Sequence, residues 1–334
     1  MFNPSLRPVD DRLTDLTHFG PNPGALRARV HVPPGLKPGA ALVVVLHGCT
    51  QDAAGYDRGT GWSMLADGAG FALLFPEQVR GNNPNLCFNW FQPGDVARAG
   101  GEAETIADMV RATIAAHALD AARVFVTGLS AGGAMTAAML ATWPELFVGG
   151  AIIGGLPYGD ASGVPEAMTR MRGQGGAEER ALVAAVRRAS GGFAGRWPAV
   201  SIWHGTADST VSAVNADRLA RQWRGVHGAE TVPETTNGSG WTRRAWSKDG
   251  RIAVDEWLIA GMGHGVPIDP GGGLGASGPH MLDVGVDSTM LIARGWGLVP
   301  AEAPARERTS PAPHPATGVQ DVIERALRSA GLMR

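Results

Sequence analysis

Apolar residues recur along the chain in two rhythms that take turns. Residues 24–32 alternate apolar with polar and close on Pro33-Pro34-Gly35, which predicts an early antiparallel strand and its turn. Residues 40–46 are apolar without interruption, the pattern of a strand buried on both faces of a parallel sheet, and end at His47-Gly48-Cys49. A short helix is predicted over 63–70, then a second buried strand over 71–75, with Pro76 expected to break it. Over 102–118, Ile106, Met109, Val110, Thr113, Ile114 and His117 fall at spacings of three and four, the stripe of a helix lying on a sheet. The next strand, 123–127, runs straight into Gly128-Leu129-Ser130-Ala131-Gly132, and a helix of small residues follows to about Trp143-Pro144.

Further buried strands fit 150–153, 200–204 and 252–259, with helices near 214–223 and 288–295. Strands alternating with helices predict an α/β architecture, a mostly parallel central sheet with helices on both faces. Residues 1–298 read as one domain. Within it, 158–197 lacks a clear strand and carries Ala, Arg and Met at helical spacing; it is either a helical insertion over the site or ordinary packing helices in a long connection. From 299 to 317 the composition turns to Pro, Ala, Glu and Arg, a linker, and 318–334 offers one apolar helical face, a short C-terminal helix.

Composition narrows the function. With 44% hydrophobic and 18% charged residues the chain is globular, and a formal net charge of −2 leaves no positive field for nucleic acid or an anionic membrane surface. No run of apolar residues is long enough for a membrane-spanning helix, and the first 15 residues lack the basic start and apolar run of a secretory signal. A cytoplasmic location is therefore expected, secretion with the signal already removed being the alternative. Two cysteines cannot build a four-ligand zinc site alone, and no metal or organic cofactor is expected. Oligomeric state is not legible.

Gly128-Leu129-Ser130-Ala131-Gly132 matches the G-x-S-x-G nucleophile elbow and has the context that motif requires, after an apolar strand and before a small-residue helix. A serine hydroxyl is a weak nucleophile until a base takes its proton, and the base must be held in one tautomer. In the α/β-hydrolase fold the acid and then the histidine follow the serine. Asp208 closes a buried strand at the sheet's C-terminal edge and is the candidate acid, with Asp217 as rival. His264, in the loop after the 252–259 strand, is the candidate base, with His280 as the other late candidate. Donors for an oxyanion are expected from the backbone N–H groups of Ala131 and Cys49.

Six segments together resemble the polyhydroxybutyrate depolymerase family of esterases, which also includes feruloyl and acetylxylan esterases. They are His47-Gly-Cys-Thr-Gln51, Cys87-Phe-Asn-Trp-Phe91, Val126-Thr-Gly-Leu-Ser-Ala-Gly-Gly-Ala-Met135, Gly154-Gly-Leu-Pro-Tyr158, His204-Gly-Thr-Ala-Asp208 and Gly261-Met-Gly-His264. The resemblance spans roughly residues 25–297. It implies a Ser130, Asp208, His264 triad that hydrolyses an ester through an acyl-enzyme, with poly- or oligo-hydroxyalkanoate as the first substrate class. Feruloyl, acetylxylan or small aromatic and alkyl esters are the alternative. Acyl transfer to an alcohol is chemically adjacent, and a catalytically silent binding protein is the reading from another class.

The chain departs from the resemblance in two places. Secreted members continue the histidine loop with Ala-Trp-Pro-Gly-Gly, whereas this chain reads Gly265-Val-Pro-Ile-Asp-Pro270, so a differently shaped wall beside the base is expected. Polymer-degrading members add a binding module after a linker; a short helix here points toward soluble oligomers, amorphous polymer or small esters. Trp62, Phe88, Trp90 and Phe91 lie on loops expected to rim the serine, as substrate contacts or as core filling. Cys49 and Cys87 sit on loops that the fold brings near each other, as a disulfide or as two separate buried thiols.

Overall fold

Strands of unbroken apolar sequence need cover on both faces, and the fold supplies it. The computed structural model describes residues 11–229 and 231–300. Ten strands make one sheet: β1 (Thr14–Asp15), β2 (Arg27–His31), β3 (Leu42–Leu46), β4 (Ala72–Glu77), β5 (Val124–Leu129), β6 (Gly149–Ile153), β7 (Ala199–Gly205), β8 (Glu234–Gly238), β9 (Trp241–Lys248) and β10 (Arg251–Ile259). Their spatial order is β1-β2-β4-β3-β5-β6-β7-β10-β9-β8. The run from β4 to β10 is parallel, flanked by antiparallel strands at both edges.

Alternate side chains of each strand leave opposite faces. Leu42, Val44 and Leu46 of β3 join one core with α3 (Gly101–His117), α4 (Ala131–Thr142) and α7 (Val214–His227). Val43 and Val45 join the other with α1 (Ala53–Thr60), α2 (Trp62–Ala69) and α8 (Ser288–Gly295). Of the helices predicted in 158–197, α5 (Val164–Met171) and α6 (Glu179–Ala189) form, and α6 puts Val186 into the first core. That makes α6 a packing helix. The expected break at Pro76 does not occur: β4 continues to Glu77, because pairing with β3 stops at Leu74 and the missing N–H disrupts no bond there. A small parallel pair, β11 (Val266–Ile268) and β12 (Met281–Asp283), follows the sheet. Residues 301–317 of the expected linker and the expected helix at 318–334 lie outside the described residues.

The sharpest steric demand falls where β5 turns into α4. Every residue of α4 is buried, so its N-terminus presses on the end of β3. A Cβ on Gly132 would stand 2.4 Å from the Leu46 carbonyl oxygen and 2.5 Å from that of His47. Both obstacles are backbone and neither can swing aside. Gly132→Ala is therefore expected to destabilise by about 2–3 kcal/mol, read as a lowered Tm. Gly68→Ala, exposed in α2 with nothing near its Cβ position, is expected to be neutral or stabilising. Equal Tm values for the two variants would contradict this account.

Candidate active site

Ser130 sits between β5 and α4 at φ 57° and ψ −116°, a left-handed conformation for a residue with a side chain. Such a backbone costs on the order of 1–3 kcal/mol and persists only when its surroundings fix it. They do so here: the Ser130 N–H donates to the Ile153 carbonyl at 2.8 Å, and its own carbonyl accepts from the Ala134 N–H at 2.8 Å. Among the described residues the Ser130 hydroxyl makes no hydrogen bond, to His264 or to any other group.

The acid is built at the end of β7. One oxygen of Asp208 accepts from the backbone N–H groups of Thr210 and Val211 at 2.9 and 2.8 Å. The other takes the Nδ1–H of His264 at 2.7 Å. Burial pushes this carboxyl up, but hydrogen bonds from His204, His264 and the Val211 N–H, with the imidazole's charge, outweigh burial and hold it well below the usual carboxylate range. Asp208 therefore stays ionised and fixes the proton of His264 on Nδ1, which leaves Nε2 free to accept one. The rival Asp217 is on α7, paired with Arg221 at 2.9 Å.

Two close approaches bring the histidine loop over the sheet. A Cβ on Gly205 would lie 2.2 Å from the Met262 carbonyl oxygen, so the loop crosses the end of β7 with no room to spare. A Cβ on Gly154 would lie 3.3 Å from Cε1 of His264, so the imidazole rests on the backbone just after β6. Ser130 is bonded to Ile153, the neighbouring residue, and base and serine thus flank the same short segment. His280 is close as well, its ring 5.8 Å from that of His264, yet its Nδ1 contacts the His264 carbonyl at 3.2 Å and it does not reach Asp208.

The loop after β3 meets the elbow directly. Its Gly48 N–H is bound by the Gln51 side chain and its Thr50 N–H by the Asn85 carbonyl, both at 2.8 Å. The Cys49 N–H has no acceptor among the described residues, and the first amide of α4, that of Ala131, has none inside its helix. Cys49 is joined to Cys87 by a disulfide, with Cα atoms 4.2 Å apart. His47 braces the same loop: it contacts the Gly48 carbonyl at 2.7 Å through Nδ1 and accepts from the Gln78 N–H at 3.1 Å, and burial pushes its pKa down. Behind the Cys87 loop, the buried Glu102 carboxyl accepts from Gln78, Asn82 and the Asn89 N–H; burial, opposed by these bonds, raises its pKa to about 8.

The four expected aromatic contacts divide. Trp62 is 2% exposed and stacks on Trp296 in the core beneath α2. Phe88 is wholly buried against the His47 ring, centroids 5.0 Å apart. Neither rims the site, because each side chain turns from its loop into the nearer core. Trp90 is half-buried, edge-on to Phe91 at 5.5 Å, and packs against Ala134, Leu156 and Val211, which come from α4, the segment after β6 and the Asp208 turn. Sequence reasoning missed His204 and Gly154 as neighbours of Asp208 and His264. His204 donates through Nε2 to the Val211 carbonyl at 2.8 Å and stands 3.4 Å from Asp208. Its place at the end of β7, four residues before Asp208, was the signal that could have found it.

Residues 26–244 match the family described as Esterase PHB depolymerase. The chain is 42% identical over 292 residues to poly(3-hydroxyalkanoate) depolymerase C of Paucimonas lemoignei, covering 86% of this chain and 70% of that one. It is 32% identical over 266 residues to feruloyl esterase B of Talaromyces stipitatus, covering 77% and 73%. Among solved structures, acetyl xylan esterase from Aspergillus awamori superposes with a TM-score of 0.74 at 24% identity, covering 86% of this chain and 99% of that one, a likeness of fold. An α/β-hydrolase sheet, a strained serine at its elbow and this similarity along most of the chain give one conclusion: the protein belongs to the Esterase PHB depolymerase family of serine carboxylic-ester hydrolases.

Proposed function

We propose that the protein hydrolyses esters of short hydroxyalkanoate oligomers, with Ser130 as nucleophile, His264 as general base and Asp208 as the residue that orients it. The observation that carries the catalytic part is the Asp208–His264 hydrogen bond, which leaves an unprotonated Nε2 beside the elbow. Nε2 takes the Ser130 proton as Oγ attacks the ester carbonyl, and the Cys49 and Ala131 N–H groups receive the oxyanion. The protonated imidazole then gives its proton to the departing alkoxide. Water repeats the sequence on the acyl-enzyme and releases the acid.

For the substrate, the support is the higher identity to the hydroxyalkanoate depolymerase than to the feruloyl esterase. Feruloyl or acetyl esters are the second reading, favoured by the aromatic wall that Trp90 and Phe91 offer. Release of 3-hydroxybutyrate from soluble oligomers, set beside release of ferulate and acetate from their esters, decides between the two. The disulfide also supports an oxidising compartment, the secreted alternative.

Ser130→Ala is expected to abolish both turnover and labelling by an organophosphonate. Asp208→Asn should keep the fold and lower kcat by about 10⁴, as loss of the orienting carboxylate does elsewhere; a fall of less than tenfold would remove Asp208 from the triad. Trp90→Ala is expected to raise KM for longer acyl chains several-fold and leave acetyl esters little changed; unchanged KM for both would remove Trp90 from the acyl wall. Cys87→Ser opens a loop closed across 38 residues and should cost about 2–4 kcal/mol of stability. If the bridge also holds the oxyanion loop, kcat should fall more than KM rises on a short ester.

A further inference from the structure

A cavity of about 720 Å³ opens beside the site, between the loop after β3 and the segment leading into β12. One wall begins at Thr50, next to the Cys49 N–H; another ends at His280, whose ring contacts His264 and whose imidazole caps that residue's carbonyl. The cavity therefore lies on the side of the base, where the leaving alcohol collects its proton. Met281 and the half-exposed Met64 give it apolar lining.

The charges on its wall are not equivalent. Arg12 is ion-paired to Asp67. The Asp52 carboxylate is used as the cap of α1, accepting from the Gly55 N–H at 2.6 Å. Asp57 is buried and accepts from the Ser63 N–H at 2.8 Å. Arg58 alone of these four is exposed on α1 and makes neither an ion pair nor a hydrogen bond among the described residues. The Arg58 guanidinium acts on Asp11 only through its charge, and an apolar slot lined by a guanidinium without a hydrogen-bond partner suits a chain that is mostly aliphatic and ends in an anion.

In a hydroxyalkanoate oligomer, the carbonyl under attack belongs to the unit on the hydroxyl-terminal side, and the leaving alcohol carries the free carboxylate end. We propose that this cavity holds the leaving-group side of the substrate and that Arg58 binds its terminal carboxylate, selecting free-acid oligomers over blocked ones. The inference rests on the hydroxyalkanoate reading above. Ester cleavage is unchanged by it: the bond from the carbonyl carbon to the leaving oxygen breaks, the proton comes from His264, and the freed hydroxy acid departs through the cavity.

The test uses dimers and trimers of 3-hydroxybutyrate as free acids and as methyl esters of the terminal carboxyl. Wild type is expected to show the lower KM for the acids. In Arg58→Gln the acid-to-ester ratio of kcat/KM should fall about fivefold, the size suited to a solvent-exposed charge pair. Arg58→Lys should keep most of the ratio, and high salt should lower it in wild type but not in Arg58→Gln. An equal preference for acid and ester in wild type, or a ratio unmoved by Arg58→Gln, overturns the assignment while leaving the hydroxyalkanoate reading intact. If wild type cleaves p-nitrophenyl butyrate but neither form of the oligomers, that reading fails and the cavity's role falls with it.

Discussion

The end of β3 and the start of α4 lie so close that no side-chain carbon fits between them, and most of the site follows from that contact. Gly132 permits it, with two carbonyl oxygens within 2.5 Å of where its Cβ would be. The squeeze holds Ser130 at positive φ, which lifts its side chain off the sheet. It also carries Gly48 and Cys49 alongside the serine, so the Ser130 side chain and the Cys49 and Ala131 N–H groups are positioned by one piece of backbone packing. Strain at a single residue is sustained by cores on both sheet faces.

Electrostatics then divides the polar groups around that contact into fixed and free. Asp208 is held ionised by donors on both oxygens, and its partner His264 has one settled proton position. His47, by contrast, is sealed from solvent and braces a loop. Glu102 is a third kind of group: it gathers Gln78, Asn82 and the Asn89 backbone, and so sets the shape of the segment that carries Cys87 and Trp90. His47 and the half-buried His264, like the buried Asp208 and Glu102, thus differ because of what surrounds them.

The interior strands, the turn that carries Ser130 and the places of Asp208 and His264 just past their strands were legible because each is written locally: apolar runs, a glycine-framed serine, a polar residue beyond a strand. The β8–β9 hairpin was not. Every residue of β8 is exposed, so Glu234-Thr-Thr-Asn-Gly238 carries no apolar alternation, and only its neighbours make it a strand. Trp62 and Phe88 were misplaced for a different reason. Closeness in sequence to a site loop says nothing about which way a ring points, and both point inward. Arg58 had no local signature at all; its setting exists only once α1 and the segment before β12 face each other across a cavity.

That segment has a mechanical side. Val266 and Ile268 pair with Met281 and Asp283, and the carbonyl of His280 lies 2.6 Å from where a Cβ on Gly265 would be, so the strand pair begins two residues after His264. The wall of the cavity and the loop that carries His264 are consequently joined by backbone pairing. A substitution that shifts β12 would therefore be felt at the imidazole, through the Val266 N–H that binds the His280 carbonyl at 2.8 Å.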